Sequence, residues 1–264
     1  MAGAGQRVLL LHGGPGISFE YLDGLAAEIG GEYELAAYQQ RGLAPSTLSG
    51  PFDLETAIAD AIAVLDALAW DRAWVVGHSW GAHLLLHLLV GASGRLLGGL
   101  AIEPLGAVGD GGMAEFEAEL LARTPESDRH RSQELDDRAM RGEGSPEEAL
   151  ESMRLVWPAY FASRDRVMAF PSMRASVDAY AGLLEATTAA IPALEGQLAS
   201  VEVPVGCIAG ARSPMPYRQA AAPTAQSIPA GWLEVIDDAG HFPWFERPGC
   251  VRAGLQRLTT TARA

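Results

Sequence analysis

No lysine occurs anywhere in this sequence; all nineteen basic residues are arginine. That absence removes Schiff-base chemistry, pyridoxal phosphate attachment and a P-loop lysine together. Cysteine is nearly as scarce. Cys207 and Cys250 lie far apart without metal-type spacing, so neither a disulfide-dense scaffold nor a cysteine metal site is expected. Cys207 sits in an apolar run and reads as a small buried hydrophobe. Positive charge is scarce too: 33 acidic residues give a formal net charge of −14. Such a balance opposes contact with phosphate backbones or anionic lipid, so neither nucleic acid nor a membrane surface is an expected partner. No apolar run reaches membrane-spanning length, and the first seven residues carry no charged region followed by an apolar one. A cytoplasmic location is the expectation.

What is present is an ordinary globular composition, 48% hydrophobic and 20% charged, enough for one substantial core with an insertion. Short apolar runs alternate with helical patterns, the sign of a parallel sheet flanked by helices. The pattern predicts strands over 7–11, 33–38, 73–77, 97–102, 203–209 and 233–236. It predicts helices over 54–69, 81–90, 217–227 and 249–259. The strand runs VLLL, WVVG and VGCIAG are nearly continuous in apolar or small residues, as in strands buried on both faces. From 106 to 200 the alternation stops and acidic, arginine-studded helical patterns take over. Within them Ser145-Pro146-Glu147-Glu148 offers an N-cap, a proline at N1 and first-turn carboxylates. The expected organisation is an α/β core of 1–105 and 201–264 with a helical cap over 106–200. Trp157, Tyr160 and Phe161 are expected there as cap-core or pocket aromatics.

Three loops carry chemistry. Gly77-His78-Ser79-Trp80-Gly81 follows the strand WVV and precedes an apolar helix. A serine lifted clear of a sheet needs that sharp strand–turn–helix, with glycine where helix and strand crowd. His12-Gly13-Gly14-Pro15-Gly16 follows the first strand, and no G-K-[ST] follows that would mark a nucleotide site. A transition-state oxyanion needs two preorganised N–H donors, for which Gly14 and Trp80 are the candidates. His241, in Gly240-His241-Phe242-Pro243 after the last strand, is the histidine placed to act as general base. His83 and His87 stand four apart on an apolar helix without an H-E-x-x-H pattern and read as core histidines. His130 reads as solvated. No cofactor and no metal is expected.

HGGPG, Tyr38-Gln39-Gln40-Arg41-Gly42 and GHSWG resemble the prolyl-iminopeptidase branch of the α/β hydrolases, whose usual forms are HGGPG, DQRG and GGSWG. The resemblance implies an α/β-hydrolase fold. Members usually carry about thirty residues before HGGPG, and here there are eleven, so a sheet lacking the family's first two strands is expected. Gln39 replaces the aspartate of DQRG, putting a structural contact of that turn in question, while Arg41 keeps its place in a structural role.

The resemblance also implies a triad acid just after the strand that follows the cap. That position holds Ser213, and a neutral hydroxyl cannot stabilise an imidazolium. Glu103, ending the strand after the nucleophile helix, is preferred as the acid, as in certain haloalkane dehalogenases. Asp237 and Asp238 also end a strand but sit close to His241 in sequence. The preferred arrangement puts Glu103 within about 2.6–3.2 Å of His241 Nδ1. The expected activity is acyl transfer to water through Ser79, on an ester, lactone or amide of a small molecule or short peptide. Ser79 argues against epoxide hydrolase and dehalogenase chemistry, which need an aspartate nucleophile. A non-catalytic ligand-binding member of the fold is the alternative.

Overall fold

The computed structural model describes residues 5–261. Six parallel strands form one sheet: β1 (Gln6–Leu11), β2 (Tyr33–Ala37), β3 (Ala73–His78), β4 (Leu96–Ile102), β5 (Val205–Gly210) and β6 (Gly231–Ile236). Their order across the sheet is β2-β1-β3-β4-β5-β6. All six predicted strands are present, and among the described residues none precedes Gln6. The β5 prediction began two residues early. Pro204 cannot donate to the ladder, and pairing starts at Val205.

Among the described residues ten α-helices accompany the sheet: α1 (Asp23–Ile29), α2 (Leu54–Ala67), α3 (Trp80–Gly91), α4 (Met113–Arg123), α5 (Glu126–Met140), α6 (Pro146–Val156), α7 (Val177–Glu195), α8 (Ala221–Ser227), α9 (Pro243–Glu246) and α10 (Cys250–Thr261). Alternation along the strands divides the apolar side chains between two layers. Leu9, Leu11, Ala73 and Val75 face the layer built with α2, α3 and α8. Val8, Leu10, Trp74 and Val76 face the layer built with α1 and α10. Helix α3 is apolar nearly all round, with nine of its residues buried, because it lies between the sheet and α7.

Between β4 and β5 the chain is helical, with α4 to α7 and short 3-10 turns. Here Ser145 forms the predicted cap as a full capping box with Glu148. This segment is packed into the core on both sides. Leu183 and Leu194 of α7 join the α3 layer, and Trp157 and Phe161 join the other. Trp157 and Phe161 are core aromatics, 4.9 and 5.5 Å between ring centres from Phe242.

Reversal of strand order across a parallel sheet opens a crevice at the carboxyl ends of the two strands where it occurs. Here those strands are β1 and β3. HGGPG follows the first and GHSWG the second.

Candidate active site

Ser79 sits between β3 and α3 with φ +54° and ψ −121°, outside the regions that L-residues favour. Strain of this kind persists only where the surroundings over-determine it. Its N–H donates to Ile102 O at 2.8 Å, while its carbonyl accepts the first bonds of α3 from Ala82 and His83. The flanking glycines are steric requirements. A Cβ on Gly81 would run into the carbonyls of Leu11 and His12, and one on Gly77 into the main chain of Gly81 and Ala82. The turn therefore holds α3, β3 and the β1 loop at contact distance. Ser79 is half-buried, and its hydroxyl has no hydrogen-bond partner among the described residues.

The HGGPG loop packs against the serine. A Cβ on Gly13 would come within 2.8 Å of Ser79 Cβ. His12 Nε2 accepts the Gln40 N–H at 3.1 Å, so its other nitrogen carries the proton and donates to Gly13 O at 3.0 Å. A peptide is planar and trans, so its C=O and N–H point oppositely. With Gly13 O held by His12, the Gly14 N–H faces away from His12. Among the described residues neither Gly14 N–H nor Trp80 N–H donates to another group of the chain. The Trp80 indole N–H bonds Thr187 Oγ1 at 2.9 Å and ties this turn to α7.

Gln39 makes contacts of its own in the β2 turn. Its carbonyl accepts the Phe19 N–H at 3.2 Å and its amide donates to Ile17 O at 3.2 Å. Arg41 is structural, forming a two-pronged pair with Asp60 on α2 at 2.9 and 2.7 Å.

His241 is buried, and both Glu103 Oε2 and Ser213 Oγ lie 3.3 Å from its Nδ1. Register explains the meeting: His78 pairs with Ile102 and Ile102 with Ile208, so Ser79 and Glu103 leave neighbouring strands at one level, with the end of β5, Ala209 and Gly210, beside Glu103. The Glu103 separation is slightly longer than the expected range. Glu103 is fully buried with φ +52°, a second strained residue at this edge. Its carboxylate accepts the Gly210 N–H, and the Ser213 hydroxyl also bonds it. Burial pushes the Glu103 carboxyl up to about 8 against those two donors. Burial also holds His241 down, to about 3. Asp237 and Asp238 are exposed, and the Asp238 carbonyl accepts from Arg166. The rings of Tyr160 and Phe116, from the segment between β4 and β5, lie 5.1 and 6.3 Å from the His241 ring.

The remaining histidines separate cleanly. His83 Nδ1 donates to Leu105 O at 3.1 Å and His83 Nε2 accepts from His87 at 3.1 Å, so that pair is spent on itself. His130 is exposed. His78 has polar partners on both ring nitrogens, Tyr21 and His241 O, each at 2.9 Å. Sequence reading missed Tyr21 and His78 as site neighbours. Their contact spans 57 positions, and no periodicity marks it.

No helix among the described residues is long and apolar enough to cross a membrane. Among curated proteins, epoxide hydrolase B of Mycobacterium tuberculosis is 33% identical over 81 residues. The match covers 30% of this chain and 23% of that protein, so it spans about a quarter of the relative's length. Among solved structures, a thermophilic esterase from Thermogutta terrifontis aligns over 100% of this chain and 92% of its own, at TM-score 0.71 and 20% identity. Proline iminopeptidase from Mycobacterium smegmatis aligns over 99% and 93%, at TM-score 0.67 and 22% identity. These two likenesses concern the fold. The model of the alpha/beta hydrolase family matches residues 8–252, nearly the whole described chain. With its parallel sheet, its serine on a strained turn after β3 and its histidine after β6, this chain belongs to the alpha/beta hydrolase family.

Proposed function

We propose that the protein is a serine hydrolase that cleaves an ester, lactone or amide through an acyl-enzyme on Ser79. The observation that carries this reading is the meeting of Glu103 with His241 Nδ1 at 3.3 Å, at the sheet edge where Ser79 also stands. Ser79 Oγ attacks the substrate carbonyl carbon while His241 Nε2 takes its proton. The carbonyl π electrons move onto oxygen, and the Gly14 and Trp80 N–H groups stabilise that charge. Collapse expels the leaving group, which takes the proton back from His241. Water then repeats the sequence to free the acid and Ser79. Glu103 holds Nδ1–H and offsets the charge on the imidazolium. Burial of His241 favours its neutral form, the form a general base needs.

The helices between β4 and β5 act as the cap, excluding water and shaping the acyl pocket. Phe116 and Tyr160 beside His241 favour an apolar or aromatic group on the substrate. An aspartate-type alkyl-enzyme, as epoxide opening would require, has no carboxylate to form on at Ser79. Treatment with a fluorophosphonate probe tests the reading, with Ser79→Ala as control. A panel of p-nitrophenyl esters, lactones and proline naphthylamide then assigns the bond. Stoichiometric labelling lost in Ser79→Ala is expected. An unlabelled wild type would instead mark a non-catalytic ligand-binding member of the family.

A further inference from the structure

We propose that Tyr21 and His78 are positioning residues, forming a single hydrogen-bonded wire that locks the oxyanion loop to the main chain of His241. The inference rests on the serine-hydrolase reading for its kinetic consequences, though its geometry does not.

The wire begins at Gly13, one residue before the proposed oxyanion donor. Gly13 N–H donates to the Tyr21 hydroxyl, which lies 2.9 Å from His78 Nδ1. His78 Nε2 lies 2.9 Å from His241 O. The direction of every bond is determined. A backbone carbonyl only accepts, so His78 Nε2 must carry the ring proton. Nδ1 is then a lone pair, and Tyr21 must donate to it. The remaining Tyr21 lone pair takes the Gly13 N–H. Each group uses the one polarity available to it, and both side chains are nearly excluded from water, at 6% and 2% exposure. Buried networks are most rigid when every member is satisfied in this way.

The far end of the wire matters most. His241 N–H already donates to Tyr160 O at 2.7 Å. With His78 on its carbonyl, the general base is pinned at both main-chain groups, from the helical segment on one side and the nucleophile turn on the other. The His78 and His241 rings stand 4.8 Å apart, and Phe242 and Trp244 close around His78 at 5.3 and 4.8 Å. His78 also stands where the resembled prolyl-iminopeptidase motif GGSWG has glycine. Misplacement of a reacting group by 1 Å can cost about 10²-fold in rate, which sets the scale of the expected effect.

The first test is histidine ¹⁵N NMR on the wild-type protein. His78 should be neutral with its proton on Nε2. A proton on Nδ1 would overturn the wire whether or not any variant folds. Tyr21→Phe should shift the His241 ring nitrogens although it does not touch that ring, and unchanged His241 signals would also overturn the proposal. In turnover of a p-nitrophenyl ester, Tyr21→Phe and His78→Leu should each lower kcat about 10- to 100-fold, with KM within about twofold. The double variant should be no slower than the worse single one, because both cut one wire. His78→Gln, which keeps a donor for His241 O, should recover part of the loss. Multiplicative losses, or a loss carried by KM, would overturn the proposal. A wild type that neither labels nor turns over, yet has the expected tautomer and His241 shifts, would sink the hydrolase reading and leave the wire intact.

Discussion

The Glu103 carboxylate lies 3.3 Å from Nδ1 of His241, a residue 138 positions further along the chain. Ser213 approaches the same nitrogen to 3.3 Å from the next strand. If Glu103 orients and charge-stabilises the base, Glu103→Gln should lower kcat by a factor on the order of 10⁴, as loss of a triad carboxylate does. Ser213→Ala should lower it by less than about tenfold, the scale of one neutral hydrogen bond. Steady-state turnover of a p-nitrophenyl ester checks both. Equal losses at the two positions would mean that the hydroxyl shares the work.

The pH profile carries a second expectation. Burial raises the Glu103 carboxyl to about 8, and the reaction needs it ionised beside a neutral His241. One proton shared by the pair inactivates it whichever atom holds it. Thus kcat/KM should rise with pH, about tenfold per unit, and level off above about pH 8. A profile flat from pH 5 to 9 would contradict this origin of the limb.

Acid should unfold the protein cooperatively. Burial holds His12 and His87 at about 4, His83 and His241 at about 3, and His78 well below 6.5. Between those values and 6.5 the unfolded chain binds protons that the native one refuses. Stability from these histidines is therefore present above about 6.5 and lost as pH falls. Each contributes a slope of about 1.4 kcal/mol per pH unit at full difference. Glu103 works oppositely, since its raised carboxyl loses stabilisation as pH rises from 4.5 through about 8. The five histidines outnumber it below 6.5. Urea midpoints taken at pH 7, 6 and 5 should fall steeply; constant midpoints would refute the assignment of neutral buried rings.

Gly81→Ala should destabilise the fold by about 3 kcal/mol, the upper range for overpacking, because the added carbon meets main-chain oxygens that cannot rotate away. Urea denaturation measures the loss. Wild-type stability in the variant would show that the β1 loop yields freely at this contact.

Much of this was legible along the chain. Strands β1, β3 and β5 are continuous apolar runs because both their faces are covered, and such runs need no partner to be recognised. Ser79 and His241 could be proposed because turn chemistry at strand ends is local. Helix α1 escaped notice, since seven residues after a 3-10 turn leave too little periodicity. Helix α8 begins at Ala221 rather than 217, as the preceding residues form a turn folded back on Pro216. The pairing of Tyr21 with His78 is a tertiary fact: each residue taken alone is an ordinary aromatic, one in a 3-10 turn and one at a strand end.

Adjacency of β4 and β5 has a consequence for how such a site can change. Ile102 and Ile208 are register partners, so Glu103, directly after the first, and Ser213, on the turn that follows the second, reach one imidazole from neighbouring strand ends. A carboxylate introduced at Ser213 while Glu103 is still present would face the same nitrogen, and Glu103 could afterwards be lost. The acid can thus migrate one strand sideways through an intermediate that is never without one, leaving the order and register of the sheet untouched.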